Sequence, residues 1–436
     1  MSVGYRTRSH TVLPIDILAD VVENLNDDHV ALKACSLVSR SWVHPTRVHL
    51  FKQLGPKSTG DELCFSSFLS FLRGSPSLCP FLRWLVIAAP ISRSSYSKPV
   101  RISLSEMEEL LANLPMVHTV EFCGVSFAGC QYDDTPSRTF SLQCVRFIDV
   151  GSQGYDTALD WTRLLSLFSE VGELHFQTEI PHVYRIPPEL PTSAVKVSRL
   201  KLNGVVRLGI MLDFLSVVLP LEALSSVDVT VIGPEQVATL GTLLSRPSLH
   251  GLRFLTLDFT RFRVEHFAHI SFSTPMPSWN LLGTFPHSNL NTLALSLRLS
   301  DSPSIPLSEI PSILQHAPSC LKTISIKAIG TYKRIRQFDQ EHSHSRCEMT
   351  GGMVETLTGM GRTDLGRIEE VVLERFTELE TLEFDLTEAQ HDGYMRLDTE
   401  SLSEGERLRA YVEGCMSRMA SLARTAFPTL VVHVSS

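Results

Sequence analysis

The sequence contains nine cysteines, yet no two are spaced as Cys-x-x-Cys, and no Asn-x-Ser/Thr sequon occurs. Both absences favour a reducing compartment, cytoplasmic and/or nuclear, over secretion. The opening MSVGYRTRSH is basic but has no apolar run behind it, so no signal peptide is legible. Long hydrophobic runs are missing as well. The most apolar window, Val205–Leu221, is interrupted by Arg207 and Asp213 and is short for a bilayer, which predicts a buried amphipathic helix and no membrane partner. Charge is sparse at 20%, with a formal net charge of −8. Such a balance exerts no global pull towards nucleic acid or anionic lipid.

Signatures of chemistry are equally thin. HExxH, GxSxG, Walker A and GxGxxG are all lacking. Gly55-Pro56-Lys57-Ser58-Thr59-Gly60 is reminiscent of a phosphate loop, but Pro56 removes a backbone N–H that would cradle phosphate, so it reads as a turn. His342-Ser343-His344-x-x-Cys347 and His266-x-x-His269 lack the paired spacing of a structural zinc site and read as loop histidines. Cys123 and Cys130 read as packing and loop rather than a redox pair, and Gly359-Met360-Gly361 is too short to count. Asp27-Asp28 and Asp133-Asp134 are neighbouring carboxylates whose side chains diverge. No catalytic, cofactor or metal residue is therefore expected, and no enzymatic activity.

What the chain does contain is a recurring frame, apolar-x-x-apolar-x-apolar. It appears at Leu82–Ile87, Val117–Phe122, Leu142–Phe147, Val171–Phe176, Val197–Leu202, Leu224–Val229, Leu252–Leu257, Leu290–Leu295, Leu321–Ile326, Leu379–Phe384 and Phe427–Val432. With 43% hydrophobic residues the frame alone is common by chance, but from 117 to 252 the starts step by 25, 29, 26, 27 and 28 residues. One short strand per 20–29 residues is the period of leucine-rich solenoids. Helices are predicted between the strands at 63–72, 105–114 (capped by Ser105, with Glu108 completing a capping box), 158–168, 209–219, 234–244, 307–316, 364–376 and 404–426. Alternating strand and helix predicts an α/β solenoid with a parallel sheet on its concave face. The buried Asn or Cys ladder of regular leucine-rich repeats is absent: Val125, Val150, Val205, Thr260, Arg298 and Ile329 stand in its place, which predicts an irregular array. Insertions at 260–288 and 328–364 are expected as loops on one face, the second reading equally well as a disordered linker.

Before the frames, Leu13-Pro14-Ile15-Asp16 opens a helix with proline in its first turn. Ile17, Leu18, Val21, Val22 and Leu25 follow at helical spacing, Asn26-Asp27-Asp28 ends that helix and caps the next, and His44-Pro45 is expected to break the chain again. Three short helices cannot bury a sufficient core alone. In order, Leu13-Pro14, Asp16, Ile17, the Leu25…Asp28 break, Cys35-Ser36-Leu37-Val38, Trp42 and the trailing Pro45…Arg47…Leu50-Phe51 resemble an F-box of the fungal kind. The resemblance implies docking on a Skp-family adaptor and, through it, a cullin–RING ubiquitin ligase. It places Leu13, Pro14, Ile17, Leu18, Leu32, Leu37, Val38 and Trp42 at adaptor-docking and core positions. It also implies a substrate-binding region, often leucine-rich repeats, behind the F-box. The residues themselves leave a second reading open, in which the helices only cap a repeat array that serves as a ligase-independent scaffold.

The expected organisation is a disordered lead-in (1–11), an F-box-like helical domain (12–54), a linker with a short helix (55–80) and the solenoid (81–436). Between the inward positions of each strand, side chains point to the opposite, concave side. There lie Glu121, Arg146, His175, Lys201, Asp228, Thr256, Ser296, Ser325, Lys327, Glu383 and Asp385. Interleaved charge of both signs fits a folded protein substrate, of a kind the sequence does not name, better than a phosphate backbone.

Overall fold

The computed structural model describes residues 14–56, 58–59, 62–63, 65–89, 100–127, 138–150, 158–177, 195–205, 207–262, 289–299, 309–330, 333–336, 347–350, 362–388, 400–416 and 429–435. Outside them lie the expected lead-in 1–11, Leu13, His266, His269, His342, His344, Cys130, Asp133-Asp134, Gly359–Gly361 and most of both insertions.

Twelve strands make one open sheet whose spatial order is the chain order. They are β1 (Gln53–Leu54), β2 (Trp84–Ala88), β3 (Thr119–Cys123), β4 (Phe140–Ile148), β5 (Phe168–Phe176) and β6 (Lys196–Leu202). The series continues with β7 (Ser226–Thr230), β8 (Phe254–Asp258), β9 (Thr292–Leu299), β10 (Thr323–Gly330), β11 (Thr381–Glu388) and β12 (Thr429–Ser435). Every neighbouring pair is parallel. All eleven frames form strands of this sheet, and β1 is one strand more than the frame revealed. In the second insertion Lys333–Arg336 and Cys347–Thr350 form an antiparallel hairpin.

The frame explains the sheet because its apolar positions share one face. The fourth positions (Leu85, Val120, Val145, Leu174, Leu200 and onward) are aligned by register, as are the sixth (Ile87, Phe122, Phe147, Phe176, Leu202 and onward), and the described residues in both rows are buried up to Phe384. The first positions, from Leu82 to Leu379, are buried too. Where the sixth position is aromatic the coils stack: Phe122–Phe147 and Phe147–Phe176 lie ring on ring at 5.2 and 5.0 Å, with Trp161 edge-on to Phe147 at 4.9 Å.

Crossover helices cover this apolar face. They are α4 (Phe65–Gly74), α5 (Leu104–Ala112), α6 (Ala158–Ser166), α7 (Leu208–Val218), α8 (Pro234–Leu244), α9 (Ile310–His316), α10 (Arg362–Arg375) and α11 (Glu400–Cys415), following α1–α3 described below. The α5 cap is Ser103 rather than Ser105. Ser103 accepts from the Glu106 N–H at 3.2 Å and completes a capping box. The sequence Ser-Leu-Ser-Glu-Met-Glu offers two overlapping boxes, and the earlier one starts the helix at Leu104, whose side chain is buried. Gln236 of α8, itself buried, donates to the Val205 carbonyl at 2.9 Å and accepts from the Ile232 N–H at 2.7 Å, stapling two coils.

Three helices precede the sheet: α1 (Ile15–Asn24), α2 (His29–Val38) and α3 (Arg40–Leu50). Asp28 caps α2 as expected, accepting from the Val30 and Ala31 N–H groups at 3.0 and 2.9 Å. The break does not fall at His44-Pro45. It falls at Ser39, whose backbone is extended (φ −161°, ψ 167°), and Pro45 lies buried inside α3. The carbonyl that Pro45 deprives of a donor belongs to Ser41, an exposed residue where solvent can supply one.

The join between helices and sheet is tight. Gln53 and Leu54, the end of the expected 12–54 segment, pair with Trp84 and Leu85, and the His44 ring meets Phe81 edge-on at 5.2 Å. Gly55 then passes so close to β2 that a Cβ would overlap the Val86 carbonyl oxygen. We expect Gly55→Ala to cost about 1–3 kcal/mol through this overlap, read by denaturant unfolding. Phe147→Ala, which opens the centre of the aromatic stack, should cost about 3–5 kcal/mol by the same measurement.

Candidate interaction surface

Opposite the helices, the strands present the frame's third, fifth and seventh positions. The fifth positions form one register row: Val86, Glu121, Arg146, His175, Lys201, Asp228, Thr256, Ala294, Ser325, Glu383 and Val431. Ser296, Lys327, Asp385 and His433 form part of the seventh-position row beside it. Every residue expected on the strand face thus lies on one face of the sheet, and each is half-buried.

Charges on this face are matched between adjacent strands. Arg146 lies 3.7 Å from Glu121, Lys201 3.3 Å from Asp228, Lys327 3.1 Å from Asp385 and His433 3.2 Å from Glu383. The Arg146 guanidinium also sits over the Trp84 ring at 5.4 Å. Between the first two pairs stands His175. Burial, then the charges of Lys201 and Arg146, push its imidazole down to about 4. Burial also raises the Asp228 carboxyl against the pull of Lys201. Two thiols belong to the same surface, and both are held protonated: Cys123 is pushed up to about 12 by burial and Glu121, and Cys144 is raised by burial. Among the described residues no group of three His, Cys, Asp or Glu side chains could hold a metal ion.

From β8 to β10 the fifth-position row carries no charge. Thr256, Ala294 and Ser325 continue the row, with Phe254 beside them 48% exposed. Phe254, Trp84, Cys144 and Glu173 occupy third positions of the frame, which the sequence reading passed over. Parity would have found them, since they stand two residues before the fifth positions.

The expected adaptor-docking residues divide into two groups. Leu18 and Leu32 are buried and, with Val22, form the small core of α1–α3, so they hold the unit together and meet no partner directly. Ile17, Leu37 and Val38 point outwards, Leu37 at 87% exposure. Pro14 is exposed and Trp42 half-buried. Ile15, Val21 and Val30 are exposed as well, a burial pattern that helical spacing alone left open. No helix among the described residues is long and apolar enough to cross a membrane. No family model matches the chain, and no curated protein is significantly similar to it.

The depressed imidazole of His175 has a thermodynamic consequence. The unfolded chain takes up that proton near the ordinary histidine value of 6.5, whereas the folded chain resists until about 4. The contribution is therefore intact above 6.5 and lost as pH falls towards 4. We expect His175→Gln to flatten the pH dependence of the unfolding free energy between about pH 6.5 and 4, measured by denaturant melts across that range.

Proposed function

We propose that the chain is the substrate-recognition subunit of a Skp–cullin–F-box ubiquitin ligase, built as an F-box followed by an irregular leucine-rich-repeat-like solenoid. The observation that carries this reading is the outward apolar surface of α1–α3. Val30, Leu37 and Val38 stand at i, i+7 and i+8 on α2, and Ile17 and Val21 at i, i+4 on α1. Leu37, Val30, Val38 and Ile15 are 87, 79, 68 and 64% exposed. A bare cap on a repeat array has a polar outer face. This unit instead buries Leu18, Val22, Leu32 and Pro45 and leaves Ile15, Ile17, Val21, Val30, Leu37 and Val38 exposed, as a docking module does.

In this role the protein has no catalytic residue of its own. The helical unit holds the adaptor and, through it, the cullin, while the opposite face of the sheet holds a protein substrate. The β1 join fixes one relative to the other, raising the effective concentration of substrate lysines near the ubiquitin-charged enzyme.

Co-expression of the full chain with a Skp-family adaptor tests this. The expected result is a stable complex that Ile17→Asp combined with Leu37→Asp abolishes. Both positions are exposed, so the variant's thermal unfolding should stay unchanged. Failure of the unmodified chain to form a complex would leave the ligase-independent scaffold.

A further inference from the structure

The rim where the chain runs into each strand carries the second position of the frame. Beside the helical unit that position is basic three times in succession: Lys52, Arg83 and His118. Backbone bonds hold these residues in line. The Lys52 carbonyl accepts from the Arg83 and Trp84 N–H groups at 3.0 and 2.9 Å, and the Arg83 carbonyl from those of His118 and Thr119 at 3.0 and 3.2 Å. The side chains therefore leave adjoining strands about 4.8 Å apart. Lys52 is exposed, and Arg83 and His118 are half-buried.

Among the described residues no carboxylate pairs with the two cations, Lys52 and Arg83. Arg83 spends a guanidinium N–H on the uncharged Met116 carbonyl at 3.3 Å, and His118 Nδ1 bonds the Thr119 hydroxyl at 3.0 Å. Burial lowers His118, and the next causes are Arg83 and Lys52 themselves. Four other cations of the sheet contrast with them. Lys322, at the far end of the same rim, lies 2.8 Å from Glu380, and Arg146, Lys201 and Lys327 each face an acid. Unmatched like charges repel one another, and an anionic partner removes that repulsion.

We propose that this corner binds an acidic segment of a partner protein, its carboxylates seated on Lys52 and Arg83 with His118 beside them and the exposed side chain of Met116 at the flank. A short acidic segment fits better than a long polyanion, because the corner spans three strands whereas the chain as a whole carries −8. The inference rests on the charge of the corner and does not need the ligase reading.

Fluorescence anisotropy with the full chain tests it, using a labelled glutamate-rich peptide, its glutamine counterpart, single-stranded DNA and anionic vesicles. The expected result is binding of the glutamate peptide alone, weakening about tenfold as salt rises from about 0.05 to 0.5 M. Lys52→Glu with Arg83→Glu should weaken it by roughly tenfold or more, whereas Arg367→Glu, exposed on α10, should leave it unchanged. If the charge-reversed chain loses cooperative unfolding, Lys52→Gln with Arg83→Gln takes its place with the same expectation. Equal binding of the glutamine peptide, no binding, tighter binding of DNA or vesicles, or undiminished binding by the variant overturns the proposal. Adaptor co-purification is scored separately, so either reading can fail alone.

Discussion

Parallel pairing between successive coils is the constraint from which the rest follows. A strand alternates its side chains with period two, so one register assigns every residue to the core or to the open face. Here the register sets frame position on frame position across the sheet, and Phe122, Phe147 and Phe176 become a stack rather than three separate core residues. A shift of one residue would turn those rings outwards and bury Glu121, Arg146 and His175, a change that apolar burial and charge desolvation both oppose. The irregular lengths between strands are tolerated because the crossovers need only return the chain to this register.

The same pairing determines the electrostatics of the open face. Side chains with no proximity in the chain become neighbours across a strand spacing, which is why Arg146 answers Glu121 and Lys327 answers Asp385. Half-burial makes these encounters consequential: His175 is kept neutral by its burial and then by the cations on either side of it, and burial keeps both thiols protonated. The surface that results combines paired charges with an uncharged stretch of the fifth-position row, Thr256, Ala294 and Ser325, beside the exposed Phe254. Such a surface is suited to recognition through shape and local charge.

The helical unit obeys a different economy. With Leu18, Val22, Leu32 and Pro45 as its buried apolar side chains, it draws support from its seam with the sheet, through β1 and the contact of His44 with Phe81. The basic corner at Lys52, Arg83 and His118 adjoins that seam, because Lys52 immediately precedes β1 and its carbonyl accepts from the Arg83 and Trp84 N–H groups.

Much of the fold was legible from residue patterns because strand parity and helix periodicity are local properties. Eleven strands, the face each side chain takes and the Asp28 cap needed only neighbouring residues to be recognised. Local patterns were insufficient where two solutions competed over a few residues. Ser103 prevailed over Ser105 because Leu104 is buried, and Ser39 rather than Pro45 separates α2 from α3 because Pro45 packs inside. The sequence by itself determined the alternation of strand and helix, the buried apolar positions and the absence of a buried ladder. Only the tertiary structure decided that Gln53-Leu54 joins the sheet, that Leu18 and Leu32 are core while Leu37 is surface, and that Lys52, Arg83 and His118 stand side by side. Each of those depends on register between segments far apart in the chain, which no local pattern encodes.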